Sequence, residues 1–371
     1  MTTQSEASLE NNLIKQLNAL GYDSCNVKTE DDLVANFKLQ IEKLNNTTFS
    51  DNEFKKVLNI VTKLSEYNAS NTIRTTRHFI KRDDDEDFWF KLFDQYNWQK
   101  NSFQVTNQIE MDSHRKNRYD VTILMNGLPL IHLELKKRGV ELKKAFDQII
   151  RYKEETFSKG LGLFQFVQLF VISNGVNTRY YANNRKNTLN YVQTFTWSDE
   201  LNRKVSDLTE FANTFLVPSH AFEMIFKYSV VTKTSKLLMV LRPYQYYATK
   251  NIVEKVKTSK ENGYIWHTTG SGKTLTSFKA SQILTYMDEV DKVVFVVDRK
   301  DLDYQTTKEF NEFSKGSVDG TENTKALVSQ FKDTSNNTRL IVTTIQKLDI
   351  SIMDSKYKSS MSHLKDKKIV F

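Results

Sequence analysis

The twenty residues RYDVTILMNGLPLIHLELKK, at positions 118–137, decide the fold of the first half of the chain. Two apolar runs flank Asn126-Gly127, and an Asn-Gly pair between such runs is a strong short-range signal for a β-hairpin. In the second run apolar residues alternate with His132, Glu134 and Lys136. This period of two predicts a strand that carries those three side chains on one face.

The register of this hairpin decides whether Asp120 and Glu134 can meet. A two-residue turn puts Asp120 opposite Leu133, on the apolar face, whereas a three-residue loop with a bulge at Gly127 puts it opposite Glu134. Two carboxylates that converge across a hairpin form a hard-oxygen site suited to Mg²⁺, and Lys136 beside them can orient water or offset charge. We therefore predict a bulge or a bent strand near the hairpin.

These residues resemble the PD-(D/E)xK nuclease superfamily, whose members carry an Asp and then Glu-x-Lys on the next strand. Asp120 and Glu134-Leu-Lys136 match this pattern, although Tyr119 replaces its Pro. The resemblance implies that Asp120 and Glu134 bind Mg²⁺ and that Lys136 takes part in catalysis. His132 is interpreted as a neighbour rather than a metal ligand. The alternative is a surface hairpin with ordinary charges.

A further pair of residues follows the hairpin. Gln148 and Tyr152 are i,i+4 neighbours on a predicted helix. They resemble the Gln-x-x-x-Tyr element of nucleases of RecB type and of type I restriction enzymes, where it supports DNA binding and cleavage. The resemblance implies that both belong to the catalytic site.

A second stretch, YIWHTTGSGKTLT at positions 264–276, predicts a strand over 264–267, a glycine-rich turn and a helix that begins near Lys273. Glycines let backbone N–H groups face a phosphate, and the helix N-terminus adds its positive end. We expect Lys273 to reach the phosphates of ATP and Thr274 to bind Mg²⁺. His267 replaces the first Gly of the strict Walker pattern. The core instead resembles that of superfamily 2 helicases and translocases, with nucleotide contacts at Gly270, Ser271, Gly272, Lys273 and Thr274.

Shorter segments agree with this second resemblance. LRPYQ at 241–245 resembles the element in which a Gln contacts adenine, so Arg242 and Gln245 are expected at the nucleotide; the segment could equally be a simple helix start. VVDR at 296–299 and VTTIQK at 342–347 resemble motifs Ia and Ib, which lie along DNA. The acidic box and the second RecA-like lobe are missing, so ATP binding is expected without efficient hydrolysis.

Apolar periodicity predicts the remaining elements and the domains. The acidic run 83–90 is expected to begin a helix. Other helices are expected over 5–20, 51–66, 141–156 and within 199–228, and from about 301. Strands are expected over 103–109, 119–125, 130–136, 165–172, 178–182, 264–267, 292–298, 339–344 and 369–371. We predict an α/β protein. Its nuclease domain of the PD-(D/E)xK type spans 1–228 and includes an N-terminal helical extension. A linker at 229–240 and a truncated RecA-like domain at 241–371 follow.

The bulk composition narrows the function classes. The 371 residues carry a formal net charge of +8, which favours polyanionic partners. Cys25 is the only cysteine, so an intramolecular disulfide and a Cys-rich zinc site are excluded. No apolar run reaches the roughly 18 residues of a membrane span, and the polar start differs from a signal peptide. A cytoplasmic location is expected.

The order of nuclease and then motor resembles the restriction subunit of type I restriction–modification enzymes, from about residue 100 onward. The resemblance implies cleavage of double-stranded DNA coupled to ATP-driven translocation, with Mg²⁺ and ATP as cofactors. It also implies modification and specificity subunits as partners. Two alternatives remain open: a free-standing repair helicase-nuclease, and a non-catalytic DNA-binding module with an ATP sensor.

Overall fold

The computed structural model divides the chain into two compact units. The first comprises Met1–Ser229 and Leu237–Arg242, and the second comprises Val230–Lys236 and Pro243–Phe371. The structure describes residues 5–111, 117–157, 159–298, 308, 310–311, 319–320, 323–333, 339–357 and 362–371. Among the helices in these ranges, none is both long and apolar enough to span a membrane.

The first unit consists of a mixed sheet flanked by helices. Its helices are α1 Glu6–Ala19, α2 Glu30–Asn45, α3 Asp51–Val61, α4 Glu66–Arg74, α5 Leu142–Glu155, α6 Leu208–Phe215 and α7 Pro218–Phe226. Its strands are β1 Asp23–Ser24, β2 His78–Lys81, β3 Asp87–Phe90, β4 Phe103–Met111, β5 Asn117–Met125, β6 Leu128–Leu135, β7 Leu169–Ser173, β8 Thr178–Ala182, β9 Trp197–Ser198 and β10 Lys204–Val205. Strands β11 Ser229–Val231 and β12 Leu238–Val240 lie in the segment predicted as a linker.

The main sheet of this unit has the order β1-β4-β5-β6-β7-β8. β4, β5 and β6 pair antiparallel in succession, β6 pairs parallel with β7, and β7 pairs antiparallel with β8. Every residue of β6 is buried, as expected for a central strand that is covered on both faces. Helices α1 and α5 both pack against β6, so the predicted site strand lies in the middle of the unit.

The helices before this sheet begin at well-formed caps. Thr29 and Asp32 form a capping box at the start of α2, and Ser50 and Glu53 form another at the start of α3. Each box satisfies two backbone N–H groups that the first turn would otherwise leave without partners. The predicted helix over 51–66 is in fact two helices, because α3 ends at Val61 and α4 begins at Glu66.

The second unit contains a parallel sheet with helices. Its elements are α8 Pro243–Thr258, α9 Lys273–Thr285, β13 Lys292–Val297, β14 Asp319–Gly320, α10 Thr324–Lys332, β15 Leu340–Thr344, α11 Ile345–Met353 and β16 Ile369–Val370. The strand order is β14-β15-β13-β16, and all three pairings are parallel. A small core of Val294, Leu327, Phe331 and Ile341 joins the sheet to α10. The helix expected from about residue 301 falls largely on positions outside the described residues.

Three further expectations from the sequence are wrong. Residues 83–90 form a turn and strand β3, not a helix start: Asp85 has φ 65°, and β3 pairs with β2, which suits aromatic residues such as Phe88 and Phe90. Residues 199–207 include strand β10 instead of a helix. Residues 264–267 form no strand in the described part of the sheet, and Trp266 is 90% exposed.

Candidate functional site

The Asn126-Gly127 turn that closes the β5/β6 hairpin is tightly fixed. Met125 pairs with Leu128, so the loop has two residues. Asn126 has φ 48° and Gly127 has φ 79°, as a type I′ turn requires. The Asn126 side chain donates to the Leu92 carbonyl at 2.9 Å and accepts from the backbone N–H of Ser102 at 2.8 Å. A Cβ atom on Gly127 would lie 2.5 Å from the Cα of Phe37, so only glycine fits here.

The predicted bulge is confirmed, but it lies on the second strand and not at Gly127. Leu124 pairs with Pro129, whereas Ile123 pairs with Ile131, so Leu130 is the extra residue. Proline has no N–H to donate to a neighbouring strand, and within sheets it is found mainly on edge strands, at the first residue of a strand or at bulges. Beyond the bulge Val121 pairs with Leu133, and the same register places Asp120 opposite Glu134.

Asp120 and Glu134 are consequently neighbours at the end of the hairpin. The Asp120 Oδ2 atom accepts a 2.8 Å hydrogen bond from the backbone N–H of Leu135. Glu134 is fully buried, and its Oε1 atom accepts from the Lys136 Nζ atom at 2.8 Å. Lys136 also donates to the Leu135 carbonyl at 2.9 Å. The structure thus brings the three predicted side chains together.

Burial gives Asp120 an unusual titration. Loss of hydration, followed by the negative charge of Glu134, raises the pKa of Asp120 to about 7, against the opposing effects of the Leu135 N–H and the Lys136 ammonium. A divalent cation between the two carboxylates would favour the ionised form of both. Asp120 is therefore the carboxyl of this pair whose pKa lies near neutral pH.

Gln148 and Tyr152 lie on α5 beside the strand that carries Asp120. The Gln148 side-chain amide donates to the Tyr152 hydroxyl, and that hydroxyl donates to the carbonyl of Arg118 at 3.1 Å. Arg118 precedes Asp120 by two residues on β5. The pair therefore ties α5 to the backbone next to the carboxylates.

Glu10 is a third carboxylate near the site that the sequence did not reveal. It is buried on α1, where its two oxygens accept from Asn107 at 2.5 Å and from Gln108 at 2.6 Å. Its charge adds to those that raise the pKa of Asp120. Gln108 adopts φ 59° within β4, a conformation rare outside glycine. Only the folding of α1 over the sheet brings Glu10 here, so no local pattern predicts it.

The donor set fits a hard divalent cation with few protein ligands. The Glu134 Oε2 atom is buried and accepts no hydrogen bond within the described part of the chain, and the His132 Nε2 atom lies 3.5 Å from it. In the described residues no group of three or more His, Cys, Asp and Glu side chains is arranged to hold a metal. Mg²⁺ commonly binds through one or two carboxylates and keeps several waters.

In the second unit, the glycine-rich loop precedes α9. Gly270 and Gly272 have φ 73° and 79°, and Lys273 and Thr274 lie in the first turn of α9. The Ser271 hydroxyl donates to the Thr268 carbonyl at 2.7 Å and lies 2.9 Å from the Nδ1 atom of His267. Lys273 is exposed, with its Nζ atom 3.4 Å from the Thr268 carbonyl. The loop therefore presents its ammonium group and helix N-terminus to solvent.

Of the two residues expected at the nucleotide upstream of this loop, Gln245 lies in the second unit and contacts the loop. Its Nε2 atom donates to the Ser271 carbonyl at 3.3 Å, and a Cβ atom on Gly272 would lie 2.5 Å from it. Tyr244, which was not predicted, donates to the same carbonyl at 2.8 Å. Arg242 belongs to the first unit, where its guanidinium lies 4.8 Å above the Phe195 ring.

The segments that resemble motifs Ia and Ib end side by side. Val297 pairs with Thr344 at the carboxyl ends of β13 and β15, and the Gln346 amide donates to the Asp298 carbonyl at 3.0 Å. Arg299 lies outside the described residues. In a parallel sheet this edge carries the loops that contact ligands.

Comparison with known proteins identifies relatives of both units. Residues 3–189 match the family described as type I restriction enzyme R protein N terminus, and residues 244–371 match the family described as SWI2/SNF2 ATPase. Over its whole length the chain is 44% identical to the type I restriction enzyme SsaAORF53P endonuclease subunit of Staphylococcus saprophyticus, and 43% identical to the SauMRSORF196P endonuclease subunit of Staphylococcus aureus.

A more distant relative comes from Escherichia coli. The chain is 38% identical over 266 residues to the type I restriction enzyme EcoprrI endonuclease subunit, which covers 69% of this chain and 83% of that protein. The chain spans 40% of the length of each of the two staphylococcal relatives.

Proposed function

This chain belongs to the family of type I restriction enzyme endonuclease subunits, and from that premise we propose that it cleaves double-stranded DNA in a Mg²⁺-dependent reaction coupled to ATP-driven translocation. The observation that carries the proposal is the bulge at Leu130, because it turns Asp120 from the apolar face toward Glu134. Two family matches, to a restriction enzyme terminus and to an ATPase, imply in general terms a divalent metal ion and ATP.

In the nuclease unit, Asp120 and Glu134 would hold Mg²⁺. When bound there, the ion would lower the pKa of a coordinated water and offset charge on the scissile phosphate. The Lys136 ammonium, 2.8 Å from the Glu134 Oε1 atom, would hold that carboxylate and add positive charge beside the phosphate. Gln148 and Tyr152 would keep the Asp120 strand in place through the Arg118 carbonyl.

Exposed cations lie on the elements next to the carboxylates and suit a DNA backbone. They occupy β5, the segment after β6 and the outer side of α5, and are Arg118, Lys137, Arg138, Lys143, Lys144 and Arg151. Such groups would bind phosphates without reading the base sequence. Target choice is accordingly assigned to a specificity subunit, which together with a modification subunit is the proposed partner.

In the second unit, the loop residues would bind ATP. The backbone N–H groups around Gly270, Ser271 and Gly272 would face the phosphates, Lys273 would neutralise them, and Thr274 would bind the nucleotide's Mg²⁺. Gln245 already contacts the loop carbonyls. Gln245 would therefore contact both the adenine of ATP and the loop that binds its phosphates. Arg242 is proposed as a second nucleotide contact on the resemblance of the segment 241–245 alone.

Plasmid cleavage tests the nuclease assignment. The complete subunit is assembled with the modification and specificity subunits, and supercoiled plasmid is incubated with and without ATP. We expect Asp120→Ala and Glu134→Ala to abolish cutting while ATP turnover persists. Glu110→Ala, on the neighbouring strand β4 at an exposed position, is the matched control and should cut at the wild-type rate. Normal cutting by Glu134→Ala would refute the proposed site.

The same assay separates the alternatives. A non-catalytic DNA-binding module would show no difference between wild type and Asp120→Ala in any cleavage reaction. A free-standing repair helicase-nuclease would cut without the modification and specificity subunits. The restriction assignment requires cutting that depends on both ATP and those subunits.

A further inference from the structure

Two buried polar atoms face each other behind the carboxylate pair. The Nε2 atom of His132 lies 3.5 Å from the Oε2 atom of Glu134, and both side chains are fully buried. Neither atom makes a hydrogen bond elsewhere in the described residues. An unpaired buried donor or acceptor costs about 1 to 3 kcal/mol, so each of these atoms is the natural partner of the other.

Within the described residues, aromatic rings rather than polar groups line most of the His132 imidazole. Aromatic rings contact the imidazole edge-on, with centroids 5.4 Å away at Tyr119, 6.3 Å at Tyr152 and 6.3 Å at Phe170. On the opposite side of the ring, the Nδ1 atom lies 3.4 Å from the Thr122 hydroxyl. Thr122 is the direct cross-strand partner of His132, so this contact is part of the hairpin itself.

These contacts define one consistent arrangement of protons. If the Thr122 hydroxyl donates to Nδ1, the N–H at Nε2 points at Glu134 Oε2. The other oxygen of Glu134 accepts from Lys136 at 2.8 Å. Each carboxylate oxygen has a second lone pair for a cation. The carboxylate is thereby held at both ends without losing its capacity to bind a metal ion.

We propose that His132 is a positioning residue that fixes the orientation of the Glu134 carboxylate for divalent-ion binding; this inference rests on the proposed nuclease function. The imidazole itself binds no metal and touches no DNA. It acts through Glu134, in the way that outer partners of metal ligands generally set ligand orientation and affinity.

Three substitutions at His132 separate this role from simple core packing. In His132→Gln the longer side chain can place an amide N–H near the position of Nε2. In His132→Asn the shorter amide reaches only the Nδ1 position beside Thr122. His132→Phe keeps the ring and loses both polar contacts. Thermal unfolding of each variant, without metal, establishes that it is folded.

The deciding measurement is calorimetric titration of the full chain with Mn²⁺ in the absence of DNA and nucleotide. We expect His132→Gln to keep the Mn²⁺ dissociation constant within about threefold of wild type, and His132→Asn and His132→Phe to raise it about tenfold or more. Thr122→Val removes the hydroxyl beside His132 Nδ1 and should raise the Mn²⁺ dissociation constant by a smaller factor. If His132→Phe does not fold, the difference between the Gln and Asn variants decides the question.

The outcomes distinguish this inference from the function on which it rests. Wild-type Mn²⁺ affinity in both the Asn and Phe variants would overturn the positioning role and leave the nuclease assignment intact. If wild type and Asp120→Asn bind Mn²⁺ identically, the metal site is elsewhere and both proposals fail. Plasmid cleavage at saturating Mg²⁺ provides a second readout, since a positioning defect should be partly relieved there.

Discussion

Asp120 is held, at the scale of single residues, in surroundings that favour its neutral form. Its pKa is raised to about 7 by burial and by Glu134, whereas an unfolded Asp titrates near roughly 4. Between these values the folded chain binds more protons than the unfolded chain, so the free energy of unfolding falls as pH rises. Asn does not titrate, so Asp120→Asn escapes this loss. We predict that its free energy of unfolding, relative to that of wild type, increases by about 1 to 3 kcal/mol from pH 5 to pH 8 without divalent ions.

Denaturant unfolding in a chelating buffer at the two pH values measures this effect. Asp147→Asn, at an exposed position on α5, is the control and should show a much smaller change. Added Mg²⁺ should stabilise wild type at pH 8 and not Asp120→Asn. A difference between Asp120→Asn and wild type that does not vary with pH would contradict the account of Asp120.

Tyr152 offers a second test at this scale. Its hydroxyl accepts a hydrogen bond from the Gln148 amide and donates one to the Arg118 carbonyl, so Tyr152→Phe removes both hydrogen bonds. We predict a loss of about 1 kcal/mol in the free energy of unfolding, the typical net contribution of a hydrogen bond, and slower cleavage. Tyr181→Phe is the matched control, because the buried Tyr181 hydroxyl has no hydrogen bond in the described residues. Its stability should stay equal or rise, and equal losses in both variants would refute the prediction.

Single residues also mark the limit of what the sequence could predict. Asp120, Glu134 and Lys136 were recognisable because they lie close together in the chain around one turn. Glu10 was not, since 110 positions separate it from Asp120 and only the packing of α1 brings it near. The Asp120 pKa was equally hidden, because it depends on burial that no local pattern states.

At the scale of elements, the hairpin depends on its glycine. Gly127 and Gly139 both have positive φ, at 79° and 90°, but a Cβ atom would meet the Phe37 backbone only at Gly127. We predict that Gly139→Ala costs about 1 to 2 kcal/mol from backbone strain alone, and that Gly127→Ala costs clearly more because α2 must move. Denaturant unfolding of the two variants measures the difference. Equal costs would show that the turn tolerates displacement from α2.

Most element boundaries followed from local periodicity, and the exceptions have physical causes. The bulge was predicted from the requirement that Asp120 meet Glu134, but its position at Leu130 reflects Pro129, which cannot donate to the ladder. Residues 83–90 form a turn and a strand because the aromatic residues after the acidic run pair with β2, a contact that the acidic run alone does not indicate. Residues 264–267 have strand-like composition, yet a strand also needs a neighbour, and none pairs with them in the described residues.

At the scale of the whole molecule, the chain combines two units that match different families. The mixed sheet of the first unit and the parallel sheet of the second, together with the two family matches, confirm the predicted fold class. The order of nuclease and ATPase was predictable, because each unit carries its own compact motif. The contribution of the first hundred residues was not, although α1 and α2 pack directly on the sheet that carries the site.

Because the proposed nucleotide site and the proposed nuclease site lie in different units, a substitution in one should leave ligand binding at the other unchanged. Lys273→Ala should abolish ATP turnover by the complete enzyme, and cutting with it where cleavage depends on translocation, because the phosphates lose their ammonium partner. Mn²⁺ binding at Asp120 and Glu134 should be unchanged. Lys279→Ala, on the same helix but hydrogen-bonded to Gln282, is the comparison and should retain ATP turnover. Normal ATP turnover by Lys273→Ala would refute the assignment of the loop.

The most direct test is crystallographic location of Mn²⁺ by anomalous scattering in crystals of the chain grown with the ion. The account predicts a peak bound by carboxylate oxygens of both Asp120 and Glu134, at roughly the 2.0–2.2 Å typical of octahedral oxygen ligands. A peak that contacts neither carboxylate, or no peak in the first unit at an ion concentration that supports cleavage, would contradict it.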